Sequence, residues 1–220
     1  MNSQKINSTG SNKTVWLIGG IVAAVAIAAV IAIASTSSDS GQDFGQDVAQ
    51  GIEEFHSVDV TGEGLPEYSA DVNDGAVGMT APVLTGQGFT GNKITTTAGA
   101  PTLLVFLAHW CPHCQFEVPL LVQWERDGLV PAGVDVIAVA TSTDPAAPNY
   151  PPSEWLAREK WPPLWPVMTD SGEKTAATAF GVTGFPFFVL LDASGKVAAR
   201  SSGRIEIPAL TELINQTLGI

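Results

Sequence analysis

Basic residues are scarce in this chain and are missing from a long part of it. Its 220 residues include 10 Lys and Arg against 22 Asp and Glu, so that the net charge is −12. No Lys or Arg occurs between Lys13 and Lys93. Because cations that neutralise phosphates drive nucleic-acid binding, this composition excludes nucleic acid as a partner.

Cysteine is also nearly absent, since Cys111 and Cys114 are the only two in the chain. No second pair exists to complete a four-cysteine metal site, and a peroxidase with a separate peroxidatic cysteine is disfavoured. Both cysteines lie in the hexapeptide HWCPHC, residues 109–114, with two of the three histidines. This segment is consistent with a redox switch, a metal site or a structural disulfide. A disulfide that closes a four-residue loop stabilises a fold little, which disfavours the structural role.

Long uncharged apolar runs are limited to one, residues 15–34, which just spans a hydrocarbon core of about 30 Å. We predict a transmembrane signal anchor there. Lys5 and Lys13 precede it, so the positive-inside rule leaves residues 1–14 in the cytoplasm and exports the rest of the chain. A cleaved signal peptide is the alternative, because Ala32-Ile33-Ala34 fits a cleavage site. Both interpretations place the C-terminal part outside the cytoplasm, on the periplasmic or cell-wall side.

Two regions of different composition follow the apolar run. Residues 35–74 are rich in Ser, Gly, Gln and acids and are predicted to be an acidic flexible linker. Residues 75–220 are long enough for one ordinary domain with a buried core.

Short apolar runs in the second region predict a parallel pair of central strands. Residues 102–108 and 134–140 are nearly continuous apolar segments, as is typical of strands that are buried on both faces. Residues 114–127 lie between them and predict a helix with an apolar stripe along one face. A strand, a helix and a second strand in this order form a crossover unit, so the two strands are expected to be parallel.

The rest of the domain contains further helices and strands. We predict helices at residues 153–160, 173–180 and 208–218. Residues 186–192 and 195–203 are predicted strands joined by a hairpin turn. The predicted fold class is therefore α/β, with a mixed central β-sheet flanked by helices.

The cysteine motif falls where the first central strand ends and the helix begins. Pro112 lacks an N–H group and has a fixed φ, which suits the first helical position and makes Cys111 the N-cap. The positive end of the helix dipole then favours the thiolate of Cys111, the predicted nucleophile. Cys114 lies one turn further in and is predicted to resolve the mixed disulfide. His113 can add positive charge or a hydrogen bond to the thiolate.

Two segments resemble a known family. HWCPHCQFEVPLL, residues 109–121, resembles the W-C-x-x-C-x-x-E-x-P motif of exported, membrane-anchored thioredoxin-fold proteins of the TlpA/ResA type. GVTGFPFFVLLDASGKVAAR, residues 181–200, is similar to their G-V-x-G-x-P strand and hairpin. The resemblance implies a thioredoxin fold with an N-terminal β-hairpin extension and an insertion around residues 143–163. It also implies thiol–disulfide exchange with protein substrates outside the cytoplasm.

The same resemblance assigns roles to single residues. Cys111 matches the attacking cysteine and Cys114 the resolving one, so the redox group implied is a Cys111–Cys114 disulfide, with no further cofactor. Pro186 matches the cis-proline opposite the disulfide, whose neighbouring backbone pairs with the substrate. Glu117 matches the acid that follows the motif. The candidate substrate-binding residues are Trp110, Phe185 and Gly184.

Two departures from the family bear on the direction of electron flow. Pro112 and His113 resemble the middle pair of DsbA-type oxidases, and Val105 stands where thioredoxin has a buried Asp. A proton on His113 near the thiolate would stabilise the reduced form and make the disulfide a stronger oxidant. Glu117 opposes this effect, but near the surface solvent would screen it. The sequence therefore leans towards an oxidase, with a disulfide reductase for cytochrome c maturation as the alternative.

Other expectations concern partners and competing roles. The expected partners are exported protein thiols and disulfides, and a membrane redox protein that resets the cysteine pair. His109 is expected to be a strand-end surface residue, and Glu117 is either a solvated first-turn acid or a proton shuttle. A zinc or copper chaperone that binds through HWCPHC is the alternative of another class. No metal site is predicted, because the helical cysteines and His113 cannot readily close a tetrahedron.

Overall fold

The structure is a computed structural model that describes residues 51–70 and 73–220. The predicted cytoplasmic segment and transmembrane anchor, residues 1–34, lie outside these residues. Within the described part of the chain, no helix is long and apolar enough to cross a membrane.

The described residues form eight strands and four helices. The strands are β1 (Asp59–Thr61), β2 (Val83–Gln87), β3 (Lys93–Thr95), β4 (Thr102–Leu107), β5 (Asp135–Ala140), β6 (Val167–Thr169), β7 (Phe187–Leu191) and β8 (Val197–Ser202). The helices are α1 (Pro112–Arg126), α2 (Pro152–Arg158), α3 (Thr175–Ala179) and α4 (Ile207–Leu218).

A five-stranded mixed sheet forms the centre of the domain, in the order β6-β5-β4-β7-β8. Strands β4, β5 and β6 are parallel, whereas β7 and β8 run antiparallel to their neighbours. The predicted parallel pair, the crossover helix and the C-terminal hairpin are thus confirmed, with element ends within about two residues. Strand β6 was not predicted, because its three residues are too few to show a pattern.

Strand β4 supplies side chains to both faces of the sheet. Its alternate residues Leu103, Val105 and Leu107 join the core beneath α1 and α4. Leu104 and Phe106 point to the opposite face, where they pack with residues of α3 and the N-terminal strands. All six residues of β4 are buried, which explains the unbroken apolar run in the sequence.

The N-terminal extension is a three-stranded antiparallel sheet in the order β1-β2-β3. Strands β2 and β3 form the predicted hairpin. Strand β1 adds a third strand by pairing Val60 with Leu84 of β2, so the extension is larger than the sequence predicted.

The predicted acidic linker, residues 35–74, is wrong for residues 51–70. These residues carry β1, and they bury Val58 and Leu65 in the same core as Phe180 of the domain. Glu54 is buried as well and accepts hydrogen bonds from the backbone amide and hydroxyl group of Ser153, at the start of α2. The acidic composition conceals this packing, because widely spaced apolar residues dock while most of the acids stay exposed.

Arg200 of β8 binds the segment that connects β1 with β2. Its side chain is fully buried and forms an ion pair with Asp74. It also donates hydrogen bonds of 2.9 Å to the carbonyl oxygens of Pro66 and Phe180. Gly181 follows at φ +64°, where a Cβ atom would lie 2.2 Å from the carbonyl oxygen of Pro66, so only glycine allows this close approach.

Candidate active site

The two cysteines lie at the start of α1, immediately after β4 and its following turn. Cys111 is the N-cap of α1, as predicted, and Pro112 occupies the first turn. Both cysteines are free thiols. Cys111 is 6% exposed and Cys114 is fully buried, so Cys111 is the thiol that a substrate can reach.

The segment before β7 lies against the thiol of Cys111. The Cys111 Sγ atom donates a hydrogen bond of 3.5 Å to the carbonyl oxygen of Phe185. The Phe185–Pro186 peptide bond is cis, as the sequence predicted, and Pro186 is buried. The Phe185 ring makes an edge contact with Trp110, with ring centroids 6.1 Å apart. The structure thus brings Trp110, Phe185 and Pro186 together around Cys111.

Gly184 lies next to this segment and is half-buried. A Cβ atom at this position would lie 2.8 Å from the Ser202 hydroxyl oxygen, so a side chain here would displace that hydroxyl group. Of the predicted substrate-binding residues, Gly184 and Phe185 are thus neighbours in the chain, and Trp110 contacts Phe185.

His113 is exposed on α1. The Cys111 side chain forms no capping hydrogen bond with the start of α1. Its thiol instead faces the Phe185 carbonyl oxygen. Because water screens an exposed charge, the stabilisation of the reduced form that the sequence assigned to His113 becomes a weak effect.

Burial dominates the chemistry of Cys114. Desolvation raises the pKa of the Cys114 thiol far above its usual value, and the neighbouring Cys111 and Glu117 raise it further. A hydrogen bond involving the Ala108 backbone favours the thiolate but does not compensate for burial. Cys114 therefore needs a nearby base before it can attack a disulfide.

Glu117 is fully buried and lies on the same face of α1, three residues after Cys114. Within residues 51–70 and 73–220 neither of its carboxyl oxygens forms a hydrogen bond of normal geometry, although the Ile205 amide lies close to the carboxyl group. Burial raises the pKa of Glu117 to about 7, although the Ile205 amide and Arg204 oppose the shift. The alternative of a solvated first-turn acid is therefore wrong, and its burial contradicts the expected screening of its charge.

His109 is 1% exposed, so the expectation of a surface residue is wrong. Its Nε2 atom accepts a hydrogen bond of 3.1 Å from the Asp144 amide. Its Nδ1 atom lies 2.8 Å from the Pro148 carbonyl oxygen. A ring that accepts at Nε2 is neutral and carries its proton on Nδ1, which therefore donates to Pro148.

The insertion that the sequence predicts around residues 143–163 begins beside the active site. We call residues 142–150 the insertion loop. Trp110 donates from Nε1 to the Ser142 carbonyl oxygen at 2.7 Å, and the Tyr150 ring makes an edge contact with His109 at 6.0 Å. The insertion loop is therefore fastened to the two residues that precede Cys111.

The described residues, 51–70 and 73–220, contain no group of three or more His, Cys, Asp or Glu that could hold a metal ion. Both ring nitrogens of His109 already contact backbone groups of the insertion loop. His109 is therefore not available as a metal ligand, which disfavours a zinc or copper chaperone that binds through HWCPHC.

The comparison with protein families decides the classification of the chain. The model described as Redoxin matches residues 76–214, which is more than half of the chain. The chain belongs to the Redoxin family. The match begins before β2 and includes the cysteine motif, Glu117 and Pro186.

Known relatives match half or more of this Redoxin-family chain. Nucleoredoxin of Mus musculus is 27% identical over 110 residues, which are 50% of this chain and 24% of that protein. The chain thus spans about a quarter of the length of the curated relatives it matches. A thiol:disulfide interchange protein of Chlorobium tepidum TLS is 25% identical, with a TM-score of 0.52, covering 64% of this chain and 96% of that one. StoA from Bacillus subtilis is 20% identical, with a TM-score of 0.50 and coverages of 62% and 98%, which shows a common fold.

Sequence reasoning missed three contributors to this Redoxin-family site. The buried role of His109 could have been suspected, because it directly continues the apolar run of β4. The insertion loop was recognised as an insertion, but nothing in its sequence indicated contact with Trp110. Arg204, in the β8–α4 connection, lies 3.9 Å from Glu117, and no sequence pattern joins residues so far apart in the chain.

Proposed function

We infer that this protein is a thiol–disulfide oxidoreductase of the TlpA/ResA type that acts on protein substrates. One observation carries the proposal: Cys111 is slightly exposed between Trp110 and the Phe185–Pro186 segment, while Cys114 is buried one turn behind it. An accessible nucleophile and a protected resolving thiol are the two groups that disulfide exchange requires. The Redoxin match and the thiol:disulfide interchange protein among the structural relatives support it.

The exchange takes two steps when a substrate is reduced. The Cys111 thiolate attacks a substrate disulfide, forms a mixed disulfide and releases the first substrate sulfur as a thiolate. Cys114 then gives its proton to Glu117, and its thiolate attacks Cys111. The mixed disulfide breaks, the second substrate thiolate leaves, and a Cys111–Cys114 disulfide remains. Two electrons have passed from the protein to the substrate, and no other cofactor takes part.

The substrate is proposed to bind across Trp110, Phe185 and Gly184. The two aromatic rings offer an apolar surface to an extended chain, and apolar contacts tolerate many sequences. A side chain at Gly184 would collide with the Ser202 hydroxyl group, so glycine keeps the backbone beside Pro186 in its present position. Pro186 itself offers no N–H group to compete for the Cys111 sulfur.

The geometry favours the reductase over the oxidase. The oxidase hypothesis relied on His113 next to the thiolate and on a screened Glu117, but His113 is exposed and Glu117 is buried. A buried carboxylate near Cys114 disfavours thiolates, and therefore lowers the reduction potential of the disulfide. The same carboxylate provides the base that Cys114 needs to complete the reduction of a substrate.

We expect a reduction potential of about −250 mV or lower for the full-length protein equilibrated with glutathione, close to the roughly −270 mV of thioredoxin. His113→Ala should leave the potential unchanged, because water screens this exposed group. Glu117→Gln should raise it at pH above 7, since the opposing carboxylate is lost. A potential of about −180 mV or higher that falls in His113→Ala would support the oxidase instead.

We also propose that residues 15–34 anchor the protein in a membrane, with the domain on the outer side. The proposal is based on the uncharged apolar run and on the two lysines that precede it. Its partners would then be exported protein thiols and disulfides, and a membrane redox protein that resets the cysteine pair.

The topology is tested with a protease added to intact cells. It should release a soluble domain that contains Cys111, while the cell fraction keeps the N-terminal fragment. Mature protein in the supernatant that begins at Ser35 would instead identify residues 1–34 as a cleaved signal peptide.

A further inference from the structure

Arg204 lies at the surface above the buried end of the active site. Its guanidinium carbon is 3.5 Å from the centroid of the Phe116 ring, a distance at which a cation is attracted to the aromatic face. Phe116 is 51% exposed, although it belongs to α1 and adjoins Glu117. The cation–π attraction therefore restricts the Arg204 guanidinium group to a position over the Phe116 ring.

The stacking directs Arg204 towards two carboxyl groups. Its Nε atom is 3.9 Å from Oε2 of Glu117, and one terminal nitrogen is 3.5 Å from Oε1 of Glu206. Glu206 is largely exposed, so water already solvates its charge. Glu117 is fully buried, and within the described residues no hydrogen bond of normal geometry satisfies its carboxyl group. The long-range attraction of Arg204 is therefore worth more to Glu117 than to Glu206.

We propose that Arg204 is a positioning residue that keeps the buried Glu117 carboxyl group partly ionised beside Cys114, and that it is held in place by stacking on Phe116. The inference rests on the proposed function of the cysteine pair. Arg204 does not touch the reacting sulfurs and acts only through Glu117.

The proton balance of the resolving step explains why this matters. Cys114 must lose its proton before its sulfur can attack the mixed disulfide at Cys111, and an ionised Glu117 accepts that proton. When the protein runs in the oxidising direction, Glu117 returns the proton to the leaving Cys114 thiolate. A Glu117 that stayed fully protonated at neutral pH would leave Cys114 without a base.

The groups that face Glu117 set the sign of its pH dependence. Burial, Glu206 and the Cys114 thiolate favour the protonated form, whereas Arg204 and the Ile205 amide favour the carboxylate. Removing the charge of Arg204 should therefore shift the titration of Glu117 to higher pH.

The direct test follows the carboxyl ¹³C chemical shift of Glu117 in the full-length protein, assigned by its loss in Glu117→Gln. Arg204→Met keeps much of the side-chain volume and should raise the midpoint by about one pH unit. Arg204→Lys retains the charge and should restore most of the wild-type midpoint. Phe116→Leu removes only the aromatic face and should give a smaller shift of the same sign.

The matched control is Arg126→Met, which removes an exposed charge of the same kind from the opposite end of α1. It should leave the Glu117 midpoint where it is. Equal midpoints in Arg204→Met and Arg126→Met, or a downward shift in Arg204→Met, would overturn the inference.

A second readout is the pH profile for reduction of glutathione disulfide by the reduced protein. Arg204→Met should shift its lower limb upward, and the shift should vanish in a Glu117→Gln background. A Glu117 midpoint that moves as expected in a protein without exchange activity would support the positioning role and reject the proposed function. An active protein whose Glu117 midpoint does not change in Arg204→Met would support the proposed function and reject the positioning role.

Discussion

Cys111→Ser is expected to abolish thiol–disulfide exchange, with a fall in kcat/KM of at least about 1000-fold. Cys114 cannot take over, because it is fully buried and its environment raises the pKa of its thiol. The rate of reduction of a disulfide-containing protein such as insulin measures the loss. Since serine is nearly isosteric with cysteine, the thermal unfolding of the variant should match that of the wild type.

Cys114→Ser separates the two roles. The variant retains the attacking thiol but lacks the resolving one, so it should accumulate a mixed disulfide that migrates as a covalent adduct on a non-reducing gel. Residual exchange in Cys111→Ser, or adducts that form through Cys114 rather than Cys111, would reverse the assignment of the two thiols.

Asp74→Asn is expected to lower the free energy of unfolding by about 3–5 kcal/mol at pH 7, because it leaves the buried Arg200 guanidinium group without its counter-charge. Chemical denaturation of the variant measures the loss. Asp59→Asn is the matched control, since it removes an exposed carboxylate from β1 of the same N-terminal region. Equal, small effects in both variants would mean that water compensates the charge of Arg200.

The effect of Asp74→Asn should also depend on pH. Hydrogen bonding to Arg200 holds the pKa of Asp74 below its usual value of 3.8. The stabilisation is therefore fully present above that value and is lost as the pH falls through the lower pKa of the folded state. The difference between wild type and variant should shrink below about pH 4.

The sequence was most informative where a single local rule determines the structure. Unbroken apolar runs predicted β4 and β5 as buried parallel strands, and Pro112 correctly placed Cys111 at the N-cap of α1. The resemblance added the cis bond before Pro186, which no periodicity indicates. These features depend on neighbours in the chain or on a motif, and both can be read without the fold.

The errors concern residues whose environment comes from distant segments. Any helix places Glu117 one turn after Cys114, but its neighbours Arg204 and Ile205 belong to the β8–α4 connection, far away in the chain. The sequence predicts a surface position for His109, because it does not reveal the path of the insertion loop that covers the ring. Composition predicts a linker at residues 51–70, because it averages over the few side chains that pack in the core, such as Val58 and Leu65.

The hydrogen bonds between His109 and the insertion loop matter for grafting this loop onto another protein of the same fold. The buried imidazole satisfies the Asp144 amide and the Pro148 carbonyl oxygen, and they in turn satisfy it. Deleting the loop alone would leave the buried imidazole without these partners, at a cost of about 1–3 kcal/mol. Replacing His109 alone would remove the hydrogen bonds that hold the loop at Asp144 and Pro148. A chimera should therefore contain both His109 and the insertion loop, or neither of them.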